Sequence, residues 1–177
     1  MMRLIGSLLM LFACAYFLLS GSCSYLSMSG VKGDYIYGEG ISPESKSLQF
    51  AKALSADNSR TDIGNYTVDR YRMYFQEFIK EAGLSEDSKE VRSFENILKQ
   101  FSPKPGVIDI RIEGMEEVQS EKKERNGNFK VTIISRIHIG SIDKTLLKKI
   151  EMDQSMFPVF MKTKLYTAML KRIDDFE

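Results

Sequence analysis

The stretch that decides the fold is EKKERNGNFKVTIISRIHI, residues 121–139. Phe129, Val131, Ile133, Ile137 and Ile139 fall on alternate positions, against Lys130, Thr132, Arg136 and His138. Successive side chains of a strand point to opposite faces, so this pattern buries one face and wets the other. An antiparallel sheet covered on one side has that pattern. Asn126-Gly127 is a strong hairpin signal, because the favoured two-residue turn needs positive φ at both positions. Upstream, Ile108, Ile110 and Ile112 alternate with Asp109, Arg111 and Glu113 and predict the partner strand. The expectation is a long hairpin over 107–139. Its exposed tip is the mixed-charge run Glu121-Lys122-Lys123-Glu124-Arg125, read as a solvated loop.

Working outward, Asp34–Gly40 (DYIYGEG) reads as a further short strand ending in glycines. Ser42-Pro43 suits the cap and first position of a helix. That helix places Leu48, Ala51 and Ser55 on one face, small enough for close approach to a neighbour, and weakens at Gly64 and Asn65. Tyr71, Tyr74, Phe75, Phe78, Ile79 and Ala82 then recur at helical spacing, an apolar stripe stopped by Gly83. Ser85 is expected to cap the next helix, whose inner face is Val91, Phe94, Leu98 and Phe101 and whose end is marked by Pro103 and Pro105. Beyond the hairpin, Asp143 is expected to start a helix with Leu146, Leu147 and Ile150. Pro158 interrupts or restarts it, and Phe160, Tyr166, Leu170 and Ile173 continue the apolar face. The fold class is α+β: a small antiparallel sheet, made of the strand near 34–40 and the hairpin, with helices packed on one face.

The N-terminus reads differently. Arg3 is the only charge before an uncharged run from Leu4 to Leu19, which is followed by Ser20, Gly21, Ser22 and Cys23. A charged start, an apolar middle and a small-residue end make a secretory signal. As a helix the run spans about 24 Å, short of the ~30 Å hydrocarbon core. The stretch Leu19-Ser20-Gly21-Ser22-Cys23 resembles a bacterial lipobox, with Ser20 standing where Leu is usual. A rival, Leu11-Phe12-Ala13-Cys14, leaves only a short apolar run ahead of the cut. The resemblance implies residues 1–22 as lipoprotein signal peptide, lipidation of Cys23, a lipidated tether over 23–33, and one domain over 34–177. Cys14 leaves with the signal, so the mature chain keeps one Cys, whose explanation is the lipid. Ser24 in place of a retention-type Asp points to the outer membrane of the cell envelope.

The strand Tyr35-Ile36-Tyr37-Gly38-Glu39-Gly40 leads into a helix with Ala51, Ala53, Ala56, Arg60 and Ile63. A strand closing on Phe129-Lys130-Val131-Thr132-Ile133 comes later. These residues, over roughly 34–139, resemble the LPP20-like lipoproteins, small bacterial envelope proteins with a compact α+β domain. The resemblance implies envelope localisation and a non-catalytic structural, assembly or partner-binding role.

Composition narrows the chemistry. The chain has 177 residues, 25 Lys+Arg against 24 Asp+Glu, one His and two Cys. A formal charge of +1 provides no broad basic field for nucleic acid. One His and two Cys cannot supply a usual four-ligand zinc site. Gly38-Glu39-Gly40 lacks the third glycine of a dinucleotide fingerprint and reads as a turn. The carboxylate pairs Glu86-Asp87, Glu116-Glu117 and Asp174-Asp175 read as solvated surface, and Asn65-Tyr66-Thr67 as a sequon with no role in a bacterium. No catalytic, cofactor-binding or metal residue is expected. The partners expected are the membrane through Cys23 and a protein or cell-wall component, met through the aromatic helix 68–82 or the C-terminal helix. The alternatives are an exported hydrolase using His138, the only imidazole, and a carrier for a small apolar ligand held between helices and sheet.

Overall fold

The computed structural model describes residues 29–101 and 114–177. Cys23 and the expected strand at Ile108–Ile112 lie outside the described residues.

The sheet contains strands β1 (Gly30–Lys32), β2 (Tyr35–Ile41), β3 (Glu116–Arg125) and β4 (Asn128–His138). They are all antiparallel, in the order β1-β2-β4-β3. The helices are α1 (Leu48–Ala82), α2 (Lys89–Phe101), α3 (Ile139–Glu151), α4 (Phe157–Phe160) and α5 (Lys164–Asp174). The α+β class, with helices on one sheet face, is as expected.

The hairpin turn sits at Asn126-Gly127, with φ of 52° and 74°. A two-residue turn of this kind fixes register, so Arg125 must face Asn128 and the pairing runs on to Glu116 opposite Arg136. The charged run 121–125 is therefore strand and not loop. Turn geometry overrides the weak strand preference of Glu and Lys. Among the described residues the hairpin partner of β4 is Glu116–Arg125.

Three boundaries also move. Gly30–Lys32, expected in the tether, pairs with Tyr35–Tyr37 through a turn that uses Gly33 at φ 59°. Ser42-Pro43 does not start a helix; Ser42 and Ser45 prolong the sheet. Ser42 donates its N–H to the Val131 carbonyl and accepts the Val131 N–H on its hydroxyl, and Ser45 exchanges both backbone bonds with Phe129. Ser47 is the true cap of α1, accepting from the Phe50 N–H. Likewise Ser88, and not Ser85, accepts the Val91 N–H at the start of α2.

The two helices read around residue 65 are one. Helix α1 runs unbroken for 35 residues, about 52 Å at 1.5 Å per residue. Gly64 is buried within it, and neighbours on both sides carry the helix past its weak propensity. The helix ends at Gly83 in the left-handed conformation (φ 61°), whose N–H returns to the Ile79 carbonyl.

Its two halves build different cores. In the first half, Ala51, Ser55, Ser59 and Ile63 lie on the sheet face formed by Ile36, Gly38, Gly40, Val131, Ile133 and Ile137. Gly38-Glu39-Gly40 is strand, not a turn. A Cβ on Gly40 would stand 1.9 Å from the Ser55 carbonyl oxygen, and one on Gly38 2.4 Å from that of Ser59. Ser59 Oγ donates to the Gly38 carbonyl at 3.1 Å, and Ser55 Oγ donates to that of Gly40. In the second half, Tyr71, Phe78, Phe94 (α2) and Phe160 (α4) are fully buried. The Phe78 and Phe94 rings stack at 5.6 Å, and Phe160 closes on Phe78 at 5.4 Å.

Between α3 and α4, Asp153 Oδ1 accepts from the N–H and hydroxyl of Ser155 and from the Met156 N–H. Burial pushes this carboxyl up. Hydrogen bonds from the Ser155 hydroxyl, the Met156 N–H, the Ser93 hydroxyl and the Ser155 N–H outweigh it and hold the pKa at about 2.

Two outcomes are expected. Gly40→Ala inserts a methyl group into a backbone contact that cannot yield. Urea unfolding should show a loss of about 3 kcal/mol, at the upper end for overpacking, and a neutral result contradicts the packing. Asp153→Ala removes a carboxylate whose folded pKa is depressed. The stability it contributes is present above the ordinary carboxylate range and disappears as pH falls through about 2. The wild-type advantage in thermal melts should therefore be full at pH 5 and shrink steadily below about pH 4.

Candidate functional site

The lipidation residue Cys23 lies outside the described residues, but the structure fixes where the chain leading from it enters. Strand β1 begins at Gly30 and runs antiparallel to β2, so the chain arrives from the Ile41 end of β2. Ser29 lines a shallow hollow there, between Glu39 and Ile41 of β2 and Asn58, Asp62 and Asn65 of α1. Past β1, the edge of β2 is covered by side chains of α1. Asp62 Oδ2 accepts the Glu39 N–H at 3.1 Å, and Asn58 Nδ2 donates to the Ile41 carbonyl at 2.9 Å. Those two groups take the bonds a further strand would take, which blunts an aggregation-prone edge.

His138 is a helix cap. Its Nδ1 accepts the Gly140 N–H at 3.0 Å, at the start of α3. The ring sits edge-on to Tyr35 at 5.0 Å and stacks on Phe176 at 4.9 Å. The cap uses Nδ1 as its acceptor. Beside it Arg136 lies 4.4 Å over the Tyr35 ring and pairs with Glu116 at 2.5 Å. Glu117, the next residue, faces the other side of the sheet, so that carboxylate pair does not converge. Glu86-Asp87 falls in the turn before α2 and Asp174-Asp175 at the end of α5. The close backbone contact between β2 and α1 leaves no room for an apolar ligand there.

The cluster that the sequence did not reveal surrounds Asp143. Expected to start a helix, it lies in the second turn of α3 and is fully buried. Its Oδ1 accepts the Tyr74 hydroxyl at 2.8 Å and its Oδ2 accepts Arg172 Nε at 2.5 Å. The Tyr74 oxygen in turn accepts from Arg70 Nε at 2.5 Å and Arg172 Nη2 at 3.0 Å. Tyr71 donates to the Ile142 carbonyl next door. Burial is the largest influence on Asp143 and raises its pKa, against the opposing pull of Arg172, Tyr74 and Arg70. Burial, and then the Asp143 charge, push both tyrosines far above their ordinary range and keep them protonated.

This is a clamp joining α1, α3 and α5. The Tyr74 oxygen donates once and accepts twice, so its proton cannot leave without breaking the clamp. Among the described residues every buried side-chain nitrogen and oxygen has a partner, and no cluster of three metal-ligating side chains occurs. No helix among them is long and apolar enough to cross a membrane.

Asp143→Asn leaves two guanidinium groups around a neutral amide. It should cost about 3 kcal/mol or more in urea unfolding. Tyr74→Phe should cost about 1–3 kcal/mol, and the double variant less than the sum, because both act on one network. Additive losses would contradict the clamp. No family model, no curated protein and no solved structure matches the chain.

Proposed function

We propose that the protein is a bacterial envelope lipoprotein whose α+β domain is held at a membrane by acyl chains on Cys23 and has a non-catalytic structural, assembly or partner-binding role. The observation that carries this reading is the order of residues 3–23: one Arg, an uncharged run to Leu19, three small residues, then Cys. Several acyl chains, at about 0.8 kcal/mol per buried CH₂, anchor a protein durably. The entry of the chain supports the reading. Strand β1 begins seven residues after Cys23, so a domain tethered there stays close to its membrane. The engagement of His138 as a helix cap and the saturated clamp at Tyr74 and Asp143 support the non-catalytic role. The glycine-bearing strand followed by a small-residue helix supports placing the chain with the LPP20-like lipoproteins, and Ser24 after Cys23 supports the outer membrane.

Cys23→Ala removes the acyl acceptor. In cell fractionation the protein should move from the membrane pellet to the exported soluble fraction. A variant that stays membrane-bound at full length makes the Leu4–Leu19 run the anchor and overturns the lipid reading.

A further inference from the structure

We propose that Arg70 and Arg172, held side by side on the Tyr74 hydroxyl, form a binding site for a single carboxylate group. Arg70 comes from the second half of α1 and Arg172 from α5. Arg70 Nε lies 2.5 Å from the Tyr74 oxygen and Arg172 Nη2 lies 3.0 Å from it, so the two like charges are neighbours. Charge does not balance at this point. Two guanidinium groups, each always protonated, share one carboxylate, Asp143, at 3.9 Å from Arg70 and 2.5 Å from Arg172. Tyr74 adds no second negative charge, because burial keeps its hydroxyl protonated and that proton is donated to Asp143. Of the acids close in sequence, Asp69 is taken by Arg72 at 2.9 Å and Glu177 by Lys144. No other carboxylate among the described residues is within ion-pair distance of either guanidinium. One positive charge is left over.

That charge comes with donors to present. Arg70 uses Nε on Tyr74, and Arg172 uses Nε on Asp143 and Nη2 on Tyr74. Both Nη groups of Arg70 and Nη1 of Arg172 bond to no described residue. Every buried side-chain nitrogen among the described residues has a partner, so these three groups reach the surface, and the two side chains are 21% and 27% exposed. They are also fixed in place. The Arg70 guanidinium lies 5.0 Å over the Tyr74 ring and that of Arg172 lies 5.6 Å over it. The ordering that a flexible arginine must undergo on binding is therefore already done by the fold. A guanidinium is a planar fork that matches a carboxylate through two parallel bonds. One carboxylate carries one negative charge, the amount the cluster lacks, whereas a phosphate dianion overshoots it.

The site does not involve Cys23, so the test uses the whole purified chain in detergent, whatever its N-terminus. The NMR signals of the arginine Nε–H groups are followed at fixed ionic strength while chloride is replaced by acetate, by acetyl-alanyl-alanine or by inorganic phosphate. Acetate and acetyl-alanyl-alanine should each shift the Arg70 and Arg172 signals saturably. Tighter binding of the dipeptide assigns the carboxylate to a peptide end, and equal or weaker binding assigns it to a small free acid. Arg70→Gln should weaken acetate binding about tenfold or more. Arg70→Lys should weaken it nearly as much, because lysine keeps the charge and loses the fork. Both variants retain the Arg172–Asp143 pair, which their urea unfolding curves check, and the wild-type titration stands whether or not they fold. Arg60→Gln, at an exposed pair elsewhere on α1, should change nothing. The site is overturned by the absence of a saturable shift with either carboxylate, by full affinity in Arg70→Lys, or by phosphate binding more tightly than acetate.

Discussion

The backbone of β2 at Gly38 and Gly40 lies against the backbone of α1 at Ser55 and Ser59, with no side-chain carbon between them. The serine hydroxyls donate across the contact to the glycine carbonyls. A helix this close brings Ala51 within reach of Val131 and Ile133, and Asp62 and Asn58 within reach of the edge of β2. One steric constraint thus sets both how the sheet is covered and how its edge is capped.

The same helix continues past the sheet and changes character. Small side chains give way to Tyr71, Tyr74 and Phe78, because α2, α4 and α5 surround it there and the space between helices must be filled. The buried Asp143 is the exception to this apolar core. Its position between Tyr74 and Arg172 ties three helices at one point, so exchanging it for an apolar residue would trade a fixed arrangement of helices for simple burial.

Much of the fold was legible in alternation and helical spacing. The inward face of β4, the aromatic stripe of α1 and the turn at Asn126-Gly127 read directly from the chain. What did not read directly were features set by distant partners. Glu121–Arg125 looks like a loop until the turn geometry forces it opposite Asn128–Thr132. Gly38 and Gly40 look like a turn because nothing local shows the serine face that needs them small. Residue 65 looks like a break because the packing that carries α1 through it comes from other elements. Asp143 carried one signal that could have been used, a lone acid among Ile139, Ile142, Leu146 and Leu147. Its partners, 69 and 29 residues away, carried none. Of the residues proposed to carry function, Cys23 is marked by its local sequence alone.

The proposed membrane address of the protein turns on the sulfur of Cys23. The intact mass of the membrane-extracted protein measures this most directly. The account predicts the mass of residues 23–177 plus a diacylglyceryl group and an amide-linked fatty acid. An unmodified mass beginning at any residue, or a full-length chain that retains Met1, contradicts it.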